Sequence, residues 1–240
     1  MTGFCDIHCH LIPKVDDGAD TLVESMHMMQ MEYDQGVRYI IATPHFRKEM
    51  FETPQERIEK EFLMVQESAQ LIGDGLTVFP GCEFHFNMDM VETLNADKRF
   101  TLAGSRYVLT EFSSMERYPY IREGIYDLVS NGYIPIIAHA ERCESFYQHF
   151  ERIQELIRTG ARIQINAGSI FGKNGIRMKR FCKQLMKQDL LDFIGTDAHG
   201  SEGRAPNMGE CAAYIRKQMG EAYTKRILID NPLQIIENKA

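Results

Sequence analysis

Ile194-Gly195-Thr196-Asp197-Ala198-His199 is the stretch of sequence around which the fold is organised. The apolar run of residues 190–194 leads into it and predicts a β-strand that stops on two side chains able to bind a metal. An Asp and a His two residues apart at a strand end can point into one cleft, but two ligands cannot hold a metal site alone. The remaining ligands must therefore come from other segments of the chain.

The composition favours one large globular domain. A chain of 240 residues can bury a substantial core, and α/β barrels of this size commonly form a single unit. No linker-like or low-complexity tract interrupts the sequence, so we expect one domain over residues 1–240. The net charge of −7 and the pI of about 5.6 argue against a general nucleic-acid-binding protein, because a phosphate backbone requires a basic face.

The cysteines and the apolar segments indicate a cytoplasmic protein. The six cysteines are scattered, without a CxxC pair, which is typical of reduced thiols rather than of a disulfide framework. The first residues contain no apolar run of a signal peptide, and no stretch approaches the ~20 apolar residues of a membrane span. We therefore expect no membrane insertion.

About seven units of a strand followed by a helix succeed one another along the chain. The predicted strands are residues 3–7, 37–42, 76–79, 107–110, 133–138, 161–165 and 190–194. This order is typical of a parallel α/β barrel. The alternative is an open doubly wound sheet, but His-x-His follows the first strand where such a sheet carries a glycine-rich phosphate loop.

Local signals place the first helices and orient the first strand. Thr21 with Glu24 predicts a capping box, and Thr53 followed by Pro54 predicts the start of the second long helix. Strict alternation in the first strand would place Asp6, His8 and His10 on one face, and the other face would carry Cys5, Ile7 and Cys9.

Metal-binding side chains recur where the predicted strands end. They are His8, His10, His45, Glu83, Glu111, His139, Asp197 and His199, and they include five of the eight histidines. Each alone would be weak evidence, but the carboxyl ends of barrel strands meet at one face, which is where active sites lie. Imidazoles with carboxylates suit Zn²⁺, Mn²⁺ or Fe, and this number of ligands exceeds the needs of one ion. The sequence therefore predicts two or three metals that share a carboxylate.

A cluster of divalent ions suits hydrolysis of a phosphomonoester. One ion lowers the pKa of a bound water towards ~7, and a pair clamps the attacking and leaving oxygens. Arg142 and Arg204 lie three and five residues beyond predicted ligands, and guanidinium groups match phosphate oxygens bidentately. Arg47 and Lys48, just after His45, could add to the same pocket. Asp16, Asp17 and His85 are weaker candidates, because Asp-Asp-Gly is an ordinary turn and Glu-x-His an ordinary strand edge.

The ordered motifs resemble those of the polymerase-and-histidinol-phosphatase (PHP) superfamily, and more narrowly its CpsB/CapC-type bacterial tyrosine-protein phosphatases. The matching segments span essentially the whole chain: Asp6-Ile7-His8-Cys9-His10, Val15-Asp16-Asp17-Gly18, Thr43-Pro44-His45, Gly81-Cys82-Glu83, Thr110-Glu111-Phe112, Ala138-His139-Ala140-Glu141-Arg142 and Thr196-Asp197-Ala198-His199. Three further matches are Met50-Phe51-Glu52-Thr53-Pro54, Gly203-Arg204-Ala205-Pro206 and Ile229-Asp230-Asn231-Pro232.

This resemblance implies a distorted (β/α)₇ barrel with two to three divalent metals, most often Mn²⁺, with Fe²⁺ or Zn²⁺ as alternatives. The implied substrate is phosphotyrosine on a bacterial tyrosine kinase of capsule or exopolysaccharide synthesis. The implied first site contains His8, His10, Glu83 and Asp197; the second contains Glu83, Glu111 and His139; and the third contains Asp17, His45 and His199. Arg142 and Arg204 match the phosphate-contacting arginines of the family.

Other functions remain open at this stage. A histidinol-phosphate or other small-molecule phosphatase could use the same scaffold, and a binuclear amidohydrolase also uses His-x-His on its first strand. The amidohydrolase ranks lower, because the fourth strand ends in Glu111 and not in a bridging lysine. A regulatory module that only binds a phosphorylated tail is a third possibility. The cysteine route of other tyrosine phosphatases is excluded, because no Cys is followed by Arg six residues later.

Overall fold

The computed structural model of the protein describes residues 3–237. Its strands are short and run through the centre of the fold. They are β1 (Phe4–Cys9), β2 (Val37–Ala42), β3 (His45–Phe46), β4 (Thr77–Pro80), β5 (Glu83–His85), β6 (Tyr107–Glu111), β7 (Ile134–Ile137), β8 (Arg162–Asn166) and β9 (Phe193–Gly195).

Helices connect these strands. They are α1 (Leu22–Asp34), α2 (Gln55–Ile72), α3 (Met90–Asn95), α4 (Tyr118–Ser130), α5 (Phe150–Thr159), α6 (Ala167–Phe171), α7 (Ile176–Lys187), α8 (Met208–Met219), α9 (Glu221–Lys225) and α10 (Asn231–Ile236), with a π-helical segment, Arg226–Asp230, between the last two. Among the helices within residues 3–237, not one is both long and apolar enough to cross a bilayer.

All the strand pairs are parallel, and together they form a curled sheet. One part has the order β1-β2-β4 and the other has the order β3-β5-β6-β7-β8-β9. The strand pairing is interrupted for two residues after β2 and after β4, and it resumes as β3 and β5 in the other part of the sheet. The segment after β9 returns to β1, where Asp197 N donates to His8 O at 2.8 Å and His10 N donates to Ala198 O at 2.9 Å. The carboxyl ends of the strands therefore gather at one edge.

Apolar side chains fill the fold in two clusters. The smaller cluster joins side chains from the strands themselves, including Ile7, Ile41, Leu109, Ile136 and Phe193. The larger cluster joins the sheet to the helices around it, and Met28, Val65, Ile125, Leu156 and Ile215 are among its fully buried members. Burial of one such side chain stabilises the fold by about 1.5–3 kcal/mol. The polar edge is thus held on a rigid apolar support.

The predicted strands and long helices are present, with shifted ends and four additions. The short strands β3 and β5 and the short helices α3 and α6 were not predicted, because two to six residues carry too little periodicity. The predicted Thr53 cap is wrong: Pro54 precedes the helix, and the Thr53 hydroxyl donates to Val15 O at 2.7 Å. Thr21 does cap α1, but Glu24 accepts from Asp20 N and not from Thr21 N.

The predicted alternation in β1 is also wrong. The register with β2 shifts between Asp6 and Cys9, which is the signature of a β-bulge. As a result Cys9 lies with Asp6, while His8 and His10 lie together at the polar edge, apart from Asp6. The bulge therefore turns His8 towards the other strand-end side chains.

Candidate metal centre

The predicted ligands converge at the carboxyl edge of the sheet. His8, His10, Glu83 and Asp197 form a first group, in which one ligand atom from each residue lies within 4.8 Å of the others. All four side chains are buried. Nε2 of His8 and Nε2 of His10 are 3.1 Å apart, so both rings face the same point. The close approach of so many metal-binding atoms is the arrangement a bound cation requires.

Glu83 lies at the centre of the cluster. Its Oε2 is 3.1 Å from His8 Nε2, 3.2 Å from His10 Nε2 and 3.0 Å from His45 Nδ1. Its Oε1 is 2.8 Å from His139 Nε2, and His139 Nε2 is in turn 3.5 Å from Glu111 Oε1. The backbone explains part of this, because Glu83 pairs directly with His45 in the β3–β5 register. One carboxylate therefore reaches ligands from both sides of the cluster.

A third group lies towards solvent. His10, Asp17, His45 and His199 bring ligand atoms within 4.8 Å of one another. Asp17 Oδ1 is 3.4 Å from the Nε2 atoms of both His45 and His199, and its side chain is half exposed. Compared with the partition that the resemblance implies, His10 belongs to two groups and His45 also approaches Glu83 and Glu111. The nine predicted ligands are all at one place.

Two of these residues have unusual backbone conformations. His139 and Asp197 have φ values of +32° and +54°, in the left-handed region that non-glycine residues avoid. Such a conformation costs about 1–3 kcal/mol and persists only where the surrounding structure enforces it. The backbone is therefore strained at the two strand ends where the side chains of His139 and Asp197 turn into the cluster.

Further side chains orient the ligands. Asp16 accepts a hydrogen bond from His10 Nδ1 at 2.8 Å and from the backbone N of His45 at 2.8 Å. Gln164 Oε1 accepts from the backbone N of His139 at 2.6 Å, and Asn166 Nδ2 donates to Asp197 Oδ2 at 2.6 Å. Sequence reasoning assigned no role to Gln164 or Asn166. The residue pattern treated Asp16 and Asp17 alike, and the family resemblance alone selected Asp17 as a ligand. Partners of this kind fix the ring and the basicity of a metal ligand.

The electrostatics of the metal-free cluster follow from its burial. Burial opposes the charged form of His10, but the carboxylate of Asp16 outweighs it and raises the pKa of His10 to about 9. The pKa of His45 likewise rises to about 9, because Glu83 outweighs burial. Burial and the charge of His10 lower the pKa of His199 to about 2. Burial would raise the pKa of Glu83, but His8 and His45 hold it well below its usual range.

The residues fit a bound metal. Glu83 Oε2 and His199 Nε2 are buried, and within the described residues the neighbouring ring nitrogens and carboxylate oxygens approach them without forming a well-directed hydrogen bond. A buried polar atom without a partner costs about 1–3 kcal/mol, which makes it rare in the absence of a ligand. Both atoms belong to the cluster of imidazoles and carboxylates, a donor set that suits Mn²⁺, Fe or Zn²⁺. The site is therefore built for a cation.

The predicted arginines lie beside the cluster. Arg142 Nη2 donates to Asp197 Oδ2 at 2.5 Å, and Arg204 Nη2 donates to Asp197 Oδ1 at 2.8 Å. Arg142 lines two cavities, one of about 320 Å³ shared with Arg204 and one of about 350 Å³ shared with Arg47. The second cavity also contains Glu111, His139 and the half-buried His85. Lys48 instead forms an ion pair with Asp89.

A parallel sheet with buried imidazoles and bridging carboxylates at its carboxyl edge defines a metal-dependent hydrolase of the barrel class. Residues 4–237 match the family model described as "Capsular polysaccharide synthesis, CpsB/CapC". The chain belongs to the CpsB/CapC family, as the motifs predicted.

Relatives match over nearly the full length. The tyrosine-protein phosphatase CpsB of Streptococcus pneumoniae is 36% identical over 236 residues, which cover 96% of this chain and 97% of that protein. The tyrosine-protein phosphatase YwqE of Bacillus subtilis is 32% identical over 217 residues, covering 90% and 85%.

Solved structures agree with these relatives. A structure from work on YwqE of Bacillus subtilis and CpsB of Streptococcus pneumoniae, described as unique metal-dependent tyrosine phosphatases, matches with a TM-score of 0.91 at 29% identity. That match covers 98% of this chain and 95% of the other. A phosphotriesterase homology protein from Escherichia coli has a TM-score of 0.66 at 16% identity, over 97% of this chain and 98% of that one, which shows the shared fold alone.

Proposed function

We propose that this protein is a metal-dependent protein-tyrosine phosphatase that hydrolyses phosphotyrosine on a bacterial tyrosine kinase of capsule or exopolysaccharide synthesis. The observation that carries the proposal is the buried cluster of His8, His10, Glu83 and Asp197 with two arginines on Asp197. The substrate class rests on the relatives named tyrosine-protein phosphatase and on the family match.

We assign the nine ligands to two or three divalent ions. Mn²⁺ is the expected metal, and Fe²⁺ and Zn²⁺ are the alternatives. His8, His10, Glu83 and Asp197 would hold one ion, Glu83 with Glu111 and His139 a second, and Asp17 with His45 and His199 a third. The groupings of ligand atoms support the first and third of these sites and add His10 to the third, while the group with Glu83 and Glu111 contains His45. The place of His139 in the second site is supported by its Nε2 atom, which lies 2.8 Å from Glu83 Oε1 and 3.5 Å from Glu111 Oε1. When bound, the ions neutralise negative charge and lower the pKa of a water molecule.

Three arginine side chains would bind the phosphate group of the substrate. Arg142 and Arg204 each use one Nη2 donor on Asp197, so their other N–H groups remain for the phosphate oxygens. Arg47 lines the same cavity as Arg142 and would contact the substrate there. Hydrolysis transfers the phosphoryl group to water, and no covalent intermediate with the protein is required. The phenol of tyrosine leaves with the cleaved ester oxygen.

The strand count is compatible with a seven-unit barrel, and the free cysteines are compatible with a reducing compartment. We infer a distorted (β/α)₇ barrel in one PHP-type domain over residues 1–240, because β2 with β3 and β4 with β5 can each count as one broken strand. We place the protein in the cytoplasm, where its six buried cysteines would stay reduced. We expect the phosphorylated kinase as partner and neither nucleic acid nor membrane insertion.

The decisive test compares substrates and metals. After chelation, Mn²⁺, Fe²⁺, Zn²⁺ or Mg²⁺ would be added back, and phosphate release would be measured from p-nitrophenyl phosphate, a phosphotyrosine peptide and histidinol phosphate. We expect turnover only with a transition metal and the highest kcat/KM on the phosphotyrosine peptide. A preference for histidinol phosphate would replace the proposed substrate with a small molecule, and tight peptide binding without turnover would make the protein a binding module.

Removal of one arginine should separate phosphate binding from metal binding. Arg204→Ala is expected to lower kcat/KM by about 10²–10³-fold, the usual effect of losing one preorganised donor to a developing charge. Its metal content, measured by mass spectrometry, should stay at the parent value. The matched control is Arg158→Ala in the last turn of α5, outside the cluster, which should leave kcat/KM unchanged. Equal turnover of Arg204→Ala and the parent would show that Arg204 does not bind the substrate.

A further inference from the structure

A second cluster of acidic side chains lies behind the metal centre. Asp6, Cys9 and Glu32 bring ligand atoms within 4.8 Å of one another, and all three side chains are fully buried. Glu32 comes from α1 and Asp6 from β1, so the cluster lies between that helix and the sheet. Asp6 belongs to the first motif of the sequence, but neither it nor Glu32 has a role in the proposed metal assignment.

Asp6 ties together the two strand ends that carry metal ligands. Its Oδ1 accepts from the backbone N of His8 at 3.1 Å and from the backbone N of Thr196 at 2.9 Å. Its Oδ2 accepts from the Thr196 hydroxyl, and that hydroxyl oxygen accepts from the backbone N of Ala198 at 3.3 Å. These bonds enclose Asp197 on both sides.

Asp197, the residue that these bonds enclose, has a strained backbone conformation. Asp197 has a φ of +54°, and its carboxylate oxygens accept from Arg142, Arg204 and Asn166, all of which lie outside the segment 196–198. A strained residue persists where its neighbours over-determine the backbone. The bonds from Thr196 to Asp6, and from Ala198 N to the Thr196 hydroxyl oxygen, fix the residues immediately before and after Asp197. Their loss would let Asp197 relax away from the cluster.

Glu32 of α1 lies against Asp6, on the side of β1 that faces the helix. Both of its carboxyl oxygens are buried, and in the chain between residues 3 and 237 no hydrogen-bond donor is directed at either of them. Two carboxylates that face each other in an apolar environment repel strongly, and a buried charge without a partner costs several kcal/mol. A protonated Glu32 can instead donate to Asp6. In agreement, burial together with the charge of Asp6 raises the pKa of Glu32 well above its usual range.

We propose that Glu32 and Asp6 form a buried carboxyl pair that, through Thr196, positions Asp197 and His8 for metal binding. Glu32 supplies the carboxyl hydrogen and Asp6 the acceptor oxygens, so that Asp6 stays fixed against β9. Both are positioning residues, since neither reaches the substrate cavities. The inference rests on the proposed metal assignment, but its test does not depend on the identity of the substrate.

Substitutions at Thr196 and Glu32 test the pair. Thr196→Val keeps the side-chain shape and removes the hydroxyl, while Thr196→Ser keeps the hydroxyl. Glu32→Leu removes the donor, while Glu32→Gln keeps an N–H donor. The Kd for Mn²⁺ would be measured by competition with a fluorescent chelator, together with the Tm of each metal-free variant and KM for p-nitrophenyl phosphate at saturating Mn²⁺.

We expect Thr196→Val and Glu32→Leu to raise the Kd for Mn²⁺ about 10–100-fold, the range for loss of an outer-shell partner. Thr196→Ser and Glu32→Gln should stay within a few-fold of the parent, and KM should stay unchanged in the two Glu32 variants, because Glu32 does not line the substrate cavities whereas Thr196 does. Parent-like Kd values in folded Thr196→Val and Glu32→Leu would overturn the proposal, whatever the Tm. Loss of one whole bound ion per chain from both Glu32→Leu and Cys9→Ser would also overturn it, because the cluster would then hold a cation. A parent enzyme that binds Mn²⁺ but hydrolyses no phosphotyrosine would refute only the proposed function.

Discussion

Glu83→Gln is expected to lower kcat/KM on a phosphotyrosine peptide by about 10³-fold or more and to reduce the number of bound ions. Glu83 is the side chain that reaches the histidines on both sides of the cluster, with four ring nitrogens within 3.2 Å of its carboxylate oxygens. The amide has the same shape but no charge, and its NH₂ group cannot bind a cation. If bound ions supply several kcal/mol of charge stabilisation, about 4 kcal/mol corresponds to a factor of roughly 10³.

The control for this substitution is Glu67→Gln, which makes the same chemical change at an exposed position of α2. Both variants would be compared with the parent by kcat/KM, by metal content and by far-ultraviolet circular dichroism. Full activity of a folded Glu83→Gln variant with the parent number of ions would contradict the bridging role. A variant that keeps all its ions but loses activity would limit Glu83 to a role in the reaction itself.

The location of the site could be predicted from sequence because of one geometric rule. Parallel strands bring their carboxyl ends to the same edge, so residues as distant as His8, Glu83 and Asp197 must meet if the strands are assigned correctly. Errors of one or two residues at the strand ends did not matter. The prediction needed only the order of strands and the residue types that follow them.

The grouping of the ligands could not be predicted in the same way. His45 and Glu83 are neighbours because the chain breaks after β2 and β4 and pairs again as β3 and β5, and strands of two or three residues leave no periodic signal. The choice between Asp16 and Asp17 depends on a turn, where Asp16 turns inward to His10 and Asp17 turns outward towards His199. Both outcomes are compatible with the same Asp-Asp-Gly sequence.

The buried Glu32 shows a different limit. A glutamate in the last turn of a surface helix is normally exposed, and its residue type gives no reason to place it in the core. Ordinary alternation places Asp6 on the helix side of β1, opposite Cys5 and Ile7, and the bulge that follows it brings Cys9 to the same side. The place for a second carboxyl group beside Asp6 therefore exists only in the folded protein. The function of such a residue follows from tertiary contacts alone.

The affinity of the cluster for Mn²⁺ is expected to rise steeply with pH, by up to about 100-fold per pH unit below pH 9. In the metal-free protein neighbouring carboxylates raise the pKa values of His10 and His45 to about 9 against the effect of burial, so both rings carry a proton at pH 7. A metal binds only the neutral ring, and binding therefore expels up to two protons. Each expelled proton changes the apparent constant by about tenfold per pH unit.

The free energy of unfolding should also depend on pH. As the pH rises, the metal-free protein should lose stability, whereas the stabilisation by a fixed concentration of Mn²⁺ should increase. Without metal, the raised pKa values of His10 and His45 stabilise the fold fully below their ordinary value of about 6.5, and this contribution is lost as the pH rises through 9. With free Mn²⁺ at about 100 times Kd, binding adds about 2.7 kcal/mol, or roughly 5–10 °C in Tm for a chain of this size. The increase in Tm on adding Mn²⁺ should therefore be larger at pH 8.5 than at pH 6.5.

Chelator competition at pH 6.5, 7.5 and 8.5, with calorimetry in two buffers of different ionisation enthalpy, would measure the affinity and the number of protons released. His45→Gln should reduce that number by about one, whereas His27→Gln, which changes an exposed imidazole outside the cluster, should leave it unchanged. A Kd that does not vary across this pH range would mean that the rings are already neutral before the metal arrives. In that case His10 and His45 would carry no charge in the metal-free protein, and they would not stabilise it through ion pairs with the neighbouring carboxylates.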